Sequence, residues 1–134
     1  MSDTLADRLA SFALSTRFED LPQAVVIEAK RRLLDAFACA AGALGEPAPE
    51  IARKVAGTMR GEPGGALLGG GWSTADWAAF ANGVHIRYLD CNDTYLSLEP
   101  AHPSDNWVAL MAAGEHAGGD GRGWIAAAAV AYEV

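Results

Sequence analysis

The chain has 134 residues, of which 51% are hydrophobic and 20% charged, the composition of a folded globular domain rather than a disordered one. At this length one domain buries roughly two-thirds of its unfolded surface. A net charge of -7, with no basic stripe, excludes nucleic acid and an anionic membrane surface as partners.

The longest apolar run, 36–44, is too short to span a bilayer. Cys39 and Cys91 stand far apart, and the acidic start carries no signal-peptide pattern, so reduced thiols in a soluble, cytoplasmic protein are expected.

In chain order, Leu5, Leu9, Phe12 and Ala13 recur at helical spacing behind Ser2-Asp3, which predicts a capped first helix ending near Thr16. A second helix starts at Asp20-Leu-Pro22, with an apolar stripe through Val26, Leu33, Phe37, Ala41 and Leu44. From Ala36 it is apolar all round, which predicts central burial. Gly45-Glu-Pro47-Ala-Pro49 breaks the chain before a third helix over about 50–59.

Ala66-Leu67-Leu68, bracketed by glycines, reads as extended, and Gly69-Gly-Gly71 as a tight turn into Ser73-Thr-Ala-Asp76. That last segment resembles a capping box opening a fourth helix through Trp77, Phe80, Val84 and Tyr88. A fifth begins around 103–105 and runs to about Ala117, with His116 placed to favour its dipole, and Gly118-Gly-Asp-Gly121 ends it. The sixth, over 124–134, stops within its pattern without a glycine, proline or basic last turn, as expected for the N-terminal part of a longer protein. The fold class is therefore all-α, with about six helices.

One stretch breaks the apolar pattern. Between the fourth and fifth helices, residues 88–106 hold three aspartates, two asparagines, two serines, a glutamate, a threonine and a histidine. If the fourth helix persists to Thr94, Asp90 and Thr94 share a face, with Arg87 three residues before Asp90. His102, ahead of Pro103, then stands at the mouth of the fifth helix, where free N–H groups attract anions and favour neutral imidazole, while a carboxylate such as Asp90 favours the charged form. An imidazole between those influences suits proton transfer.

The structural alternatives are plain: a loop hydrogen-bonder for His102, an ion pair with Arg87 for Asp90, and caps for Thr94 and Ser104. Asp90, Asn92 and Asp93 open like a calcium loop but lack its glycine and its closing glutamate, and His85 and His102 lack partners at zinc spacing, so no metal site is expected. The triple glycine has no lysine to make it a phosphate loop.

Arg87-Tyr-Leu-Asp90-Cys-Asn-Asp-Thr94-Tyr-Leu, followed by His102-Pro-Ser-Asp-Asn106, resembles the signature of the MmgE/PrpD family. Arg32-Leu-Leu-Asp-Ala36, Leu68-Gly-Gly-Gly71 and Trp77-Ala-Ala-Phe-Ala-Asn-Gly83 fit in order. The resemblance implies a partial large helical domain over 1–134, with an α+β lid domain and C-terminal helices beyond it. It also implies a cofactor-independent, metal-free lyase acting on citrate-like polycarboxylates, by 2-methylcitrate dehydratase-type elimination of water, and a homodimer.

Decarboxylation of the cis-aconitate type and epimerisation of the iminodisuccinate type are the alternatives within the family. A non-catalytic helical binding module is the alternative outside it. By the resemblance His102 carries the proton, Asp90 orients or tunes it, and Thr94 and Ser104 contact substrate. Over 87–106 the fixed charges are Asp90, Asp93, Glu99 and Asp105 against Arg87 alone. A polycarboxylate is repelled there unless cations arrive from elsewhere, expected beyond Val134, and residues 1–134 alone are expected to be inactive.

Overall fold

The structure, a computed structural model, describes residues 4–62 and 64–134. Six α-helices carry it: α1 (Leu5–Ser15), α2 (Gln23–Gly42), α3 (Pro47–Ala56), α4 (Ala75–Arg87), α5 (Asn106–Ala117) and α6 (Gly121–Glu133). Two antiparallel hairpins interrupt them. β1 (Gly64–Ala66) pairs with β2 (Trp72–Thr74), and β3 (Tyr95–Leu96) pairs with β4 (Pro100–Ala101). Single 3-10 turns, Phe18–Asp20 and Pro103–Asp105, lead toward α2 and α5.

The helix ends follow from local chemistry. Thr4 and Asp7 form a reciprocal box on α1: the Thr4 hydroxyl accepts from the Asp7 N–H at 3.2 Å, and the Asp7 carboxylate accepts from the Thr4 N–H at 3.0 Å. The expected Ser2-Asp3 cap lies outside the described residues. Pro47 takes the first position of α3, so that helix begins and ends about three residues before the expected span. Gly118 closes α5 in the left-handed region at φ 64, and the Gly119 N–H reaches the Gly114 carbonyl at 2.8 Å. Asp120 caps α6 by accepting from Gly123 N–H at 2.9 Å.

The capping box expected at Ser73–Asp76 does not form. Ser73 lies in β2, and its buried hydroxyl donates to the Ala56 carbonyl at 2.6 Å, while Thr74 takes the α4 cap position. Strand pairing overrides the local cap signal here. The extended segment is two residues earlier than expected, and 67–71 make the turn, with Gly69, Gly70 and Gly71 all at positive φ. Asn82 then fastens the hairpin to α4, accepting from Leu68 N–H at 2.8 Å and donating to the Ala66 carbonyl at 2.9 Å.

α4 is central. One apolar cluster joins Ala36 and Ala40 of α2, Ile86 of α4, Trp107 and Val108 of α5, and Ala128 of α6. A second joins Ala52 and Ala56 of α3, Leu67 of the turn, and Ala78 and Ala81 of α4. Alanines at these contacts let the helix axes approach closely.

α2 differs from its expected burial. Val26, Ala36, Cys39 and Ala40 are its buried residues, joined by Ala43 at its C-cap, whereas Ala41 and Leu44 are exposed. The all-round apolar composition misled, because only the alanine-rich face meets α4 and α6. Among the described residues no helix is long and apolar enough to cross a membrane.

Candidate active site in the polar loop

The loop begins where α4 stops. Arg87 is its last residue, and Asp90 adopts a left-handed conformation at φ 52, which short polar side chains tolerate better than most. α4 therefore does not persist to Thr94, and Asp90 and Thr94 share no helical face. Asp90 takes the left-handed position that turns the chain out of the helix, and the side chains of Asn92 and Asp93 bond to Ser104 instead.

Asp90, with its side chain 73% exposed, pairs with Arg87 at 2.9 Å. Arg87 also donates to Asn92 Oδ1 and lies 3.6 Å from the Asp105 carboxylate. Among the described residues no hydrogen bond joins Asp90 to His102.

His102 is half-buried ahead of the 3-10 turn that opens α5. Its Nδ1 lies 2.8 Å from the main-chain oxygen of Asp93, and 3.5 Å from the Thr94 hydroxyl. A carbonyl only accepts, so Nδ1 carries a hydrogen, and in the neutral ring Nε2 holds the lone pair. Ser104 is fully buried; its hydroxyl accepts from Asn92 at 2.7 Å, and its N–H donates to Asp93 Oδ1 at 2.9 Å. In this arrangement its side chain faces Asn92 rather than open space.

Asp93 is the centre of the loop, with a side chain only 3% exposed. Besides Ser104 N–H, it accepts from the Tyr132 hydroxyl at 3.0 Å and lies 3.9 Å from Arg32. Tyr132 in turn accepts from Trp107 Nε1 at 3.2 Å. A buried carboxylate is tolerable only with such partners, and here α2, the 3-10 turn Pro103–Asp105 and α6 each supply one.

Beside this network lies a cavity of about 640 Å³, within the range of small-molecule sites. Phe12, Leu21, Val25 and Ala129 make its apolar wall, while Arg32, Thr94 and Tyr132 face it with polar groups. Asp90 and His102 do not line it; Pro103 does. Among the described residues no cluster of three or more potential metal ligands occurs.

Residues 7–134 match the model of the MmgE/PrpD N-terminal domain. The chain belongs to the MmgE/PrpD family. It is 38% identical over 101 residues to a 2-methylcitrate dehydratase of Cupriavidus necator, covering 72% of this chain and 20% of that protein. It is 42% identical over 84 residues to the 2-methylcitrate dehydratase of Salmonella typhimurium, covering 60% and 17%. A probable 2-methylcitrate dehydratase of Saccharomyces cerevisiae shares 50% identity over 38 residues, 28% of this chain and 7% of that one. The chain thus spans about a fifth or less of the length of these relatives. No solved structure matches it.

Within this MmgE/PrpD domain, Asp93, Asn92, Arg32 and Tyr132 join the site without having been singled out as site residues from the sequence. Asp93 stood in the polar run beside Thr94 and was weighed as a site residue only as part of a calcium-loop pattern. Arg32 entered the sequence reading within the segment Arg32-Leu-Leu-Asp-Ala36, and Tyr132 not by itself; only the fold brings them together. Arg32 brings a guanidinium to this wall, already paired with Glu28 at 2.7 Å, and Asp20, Glu28 and Glu133 line the same cavity.

Burial, and then the negative charge of Asp93, hold the Tyr132 phenol well above the ordinary tyrosine range. A raised folded-state pKa means that the contribution to stability is complete below the unfolded value of about 10 and is lost as pH climbs beyond it. The expected result is a fall in unfolding free energy above about pH 10 that is shallower in Tyr132→Phe. Urea melts across that range check it; identical slopes would contradict it.

Proposed function

We propose that this domain supplies part of the active site of a lyase that removes water from a citrate-like polycarboxylate, of the 2-methylcitrate dehydratase type, by acid–base chemistry of its own side chains. The observation that carries the proposal is the bond from His102 Nδ1–H to the Asp93 carbonyl, which leaves Nε2 to accept a proton. Around it, Thr94 and Arg32 put a hydroxyl and a guanidinium on the wall of the adjoining cavity.

In such an acid the C–H beside one carboxylate is acidic, and the neighbouring carbon carries the hydroxyl. His102 Nε2 takes the proton, the C–H electrons form the double bond, and the C–O bond breaks. The imidazolium returns the proton to the departing oxygen, so water leaves and the enzyme is unchanged. Asp90, paired outward with Arg87, holds the left-handed turn that leads into the loop. Arg32 and Thr94 hold a carboxylate, for which the guanidinium fork is suited. Ser104 serves from beneath by holding Asn92. A homodimer and a cytoplasmic location complete the proposal.

The test is an absorbance assay for the double bond formed from 2-methylcitrate by the protein that carries this domain. Arg32→Ala is expected to raise KM about 10–100-fold, the value of one charge-assisted contact, and Thr94→Val to raise it less, with kcat held within a few-fold. No turnover of any citrate-like acid by the unmodified protein would overturn the proposal.

A further inference from the structure

His102 is separated from Ser104 by one proline, and Asp93 grips both. Its main-chain oxygen accepts from His102 Nδ1, and its Oδ1 accepts from the Ser104 N–H. Pro103, which has no N–H to offer and a restricted φ, links the two gripped residues stiffly. The opposite carboxylate oxygen is held by the Tyr132 hydroxyl from α6, with Arg32 of α2 at 3.9 Å. Tyr132 is itself fixed by Trp107 from α5. The orientation of the Asp93 peptide is thus tied to three helices through a side chain that never faces the cavity as a lining residue.

A main-chain carbonyl in a loop is ordinarily free to rotate away from a half-buried ring. Here rotation of the Asp93 peptide would drag a buried carboxylate off its partners and leave it unsatisfied. Thr94, the other neighbour of Nδ1, is a weaker restraint, because its hydroxyl is exposed, lies at 3.5 Å and can turn.

We propose that Asp93 is a positioning residue for the polar-loop site: its clamped side chain holds its own carbonyl against His102 Nδ1, and so fixes the Nδ1–H tautomer with Nε2 as the proton-accepting nitrogen. This rests on the catalytic role given to His102 above only for its functional meaning; the tautomer itself is a property of the folded chain. Tyr132 acts one step further back, as the group that closes the clamp.

The test is the ring-nitrogen spectrum of His102 in the 15N-labelled 134-residue chain, at about pH 8, above the ordinary histidine range. The unmodified chain is expected to show a protonated Nδ1 and a bare Nε2. Asp93→Ala keeps the carbonyl but removes the clamp, and is expected to average the two nitrogens as the tautomers mix. Asp93→Asn still offers an acceptor to Ser104 N–H, and is expected to retain most of the original pattern.

If Asp93→Ala does not fold, Tyr132→Phe replaces it, with the Nε2–H form becoming detectable. A bare Nδ1 in the unmodified chain overturns the proposal, as does an unchanged spectrum in the variant that loses the clamp. Failure here with turnover intact removes the clamp and leaves the lyase. A fixed tautomer without turnover removes the lyase and leaves the clamp.

Discussion

Replacing His102 by glutamine is expected to lower kcat about 10²–10⁴-fold, the usual contribution of one positioned proton carrier, while KM stays within a few-fold. Glutamine keeps a polar group of similar reach that can still donate toward the Asp93 carbonyl, but it cannot take up and return a proton. Arg32 and Thr94, which hold the carboxylate, are untouched. Since His102 is half-buried in a loop rather than packed in either apolar cluster, the melting temperature should change little. A loss of turnover accompanied by unfolding, or a kcat close to the unmodified value, would remove the proton-carrier role.

Trp107→Ala is expected to cost about 3–5 kcal/mol, much of the roughly 5–15 kcal/mol that holds a typical domain together. Trp107 is fully buried in the cluster joining α2, α4, α5 and α6, and its partners Ala36, Ala40 and Ala128 are too small to fill the space it would leave. Its N–H also supports the Tyr132 hydroxyl that closes on Asp93. The variant should therefore lose both cohesion and the site. Trp107→Phe keeps most of the ring and loses the N–H, so about 1–3 kcal/mol is expected there. Urea unfolding of the two variants checks both values, and a loss under about 1 kcal/mol for Trp107→Ala would show that the cluster repacks around the gap.

The contrast between these residues explains how much could be read in advance. Six helices were legible because apolar periodicity, Gly118 and the glycine turn are local signals with local causes, whereas Pro47, read as a break, opens α3. Ser73 failed as a cap because its hydroxyl is committed to Ala56 across 17 positions, a contact that no window around residue 73 reveals. The stretch 88–106 stood out by composition, and His102 and Thr94 do come within 3.5 Å of each other.

Asp90 was singled out by a supposed continuing helix and by the family resemblance, and Asp93 was not. The left-handed turn at Asp90 sends its carboxylate outward to Arg87 and leaves Asp93 as the buried one. Arg32 and Tyr132 lie 61 residues before and 39 after Asp93, and tertiary packing alone brings them to it. Charge counted along one segment missed a guanidinium delivered by another helix.

By the proposed function, the polar loop and the cavity beside it hold a citrate-like acid. Adding 2-methylcitrate to the 15N-labelled protein that carries this domain, and following the amides of the polar loop and the Arg32 and His102 side-chain nitrogens, tests it most directly. Saturable shifts centred on Thr94, His102 and Arg32, weakened by Arg32→Ala, are predicted. No shift at any of these nuclei, at a concentration that saturates turnover, would contradict it.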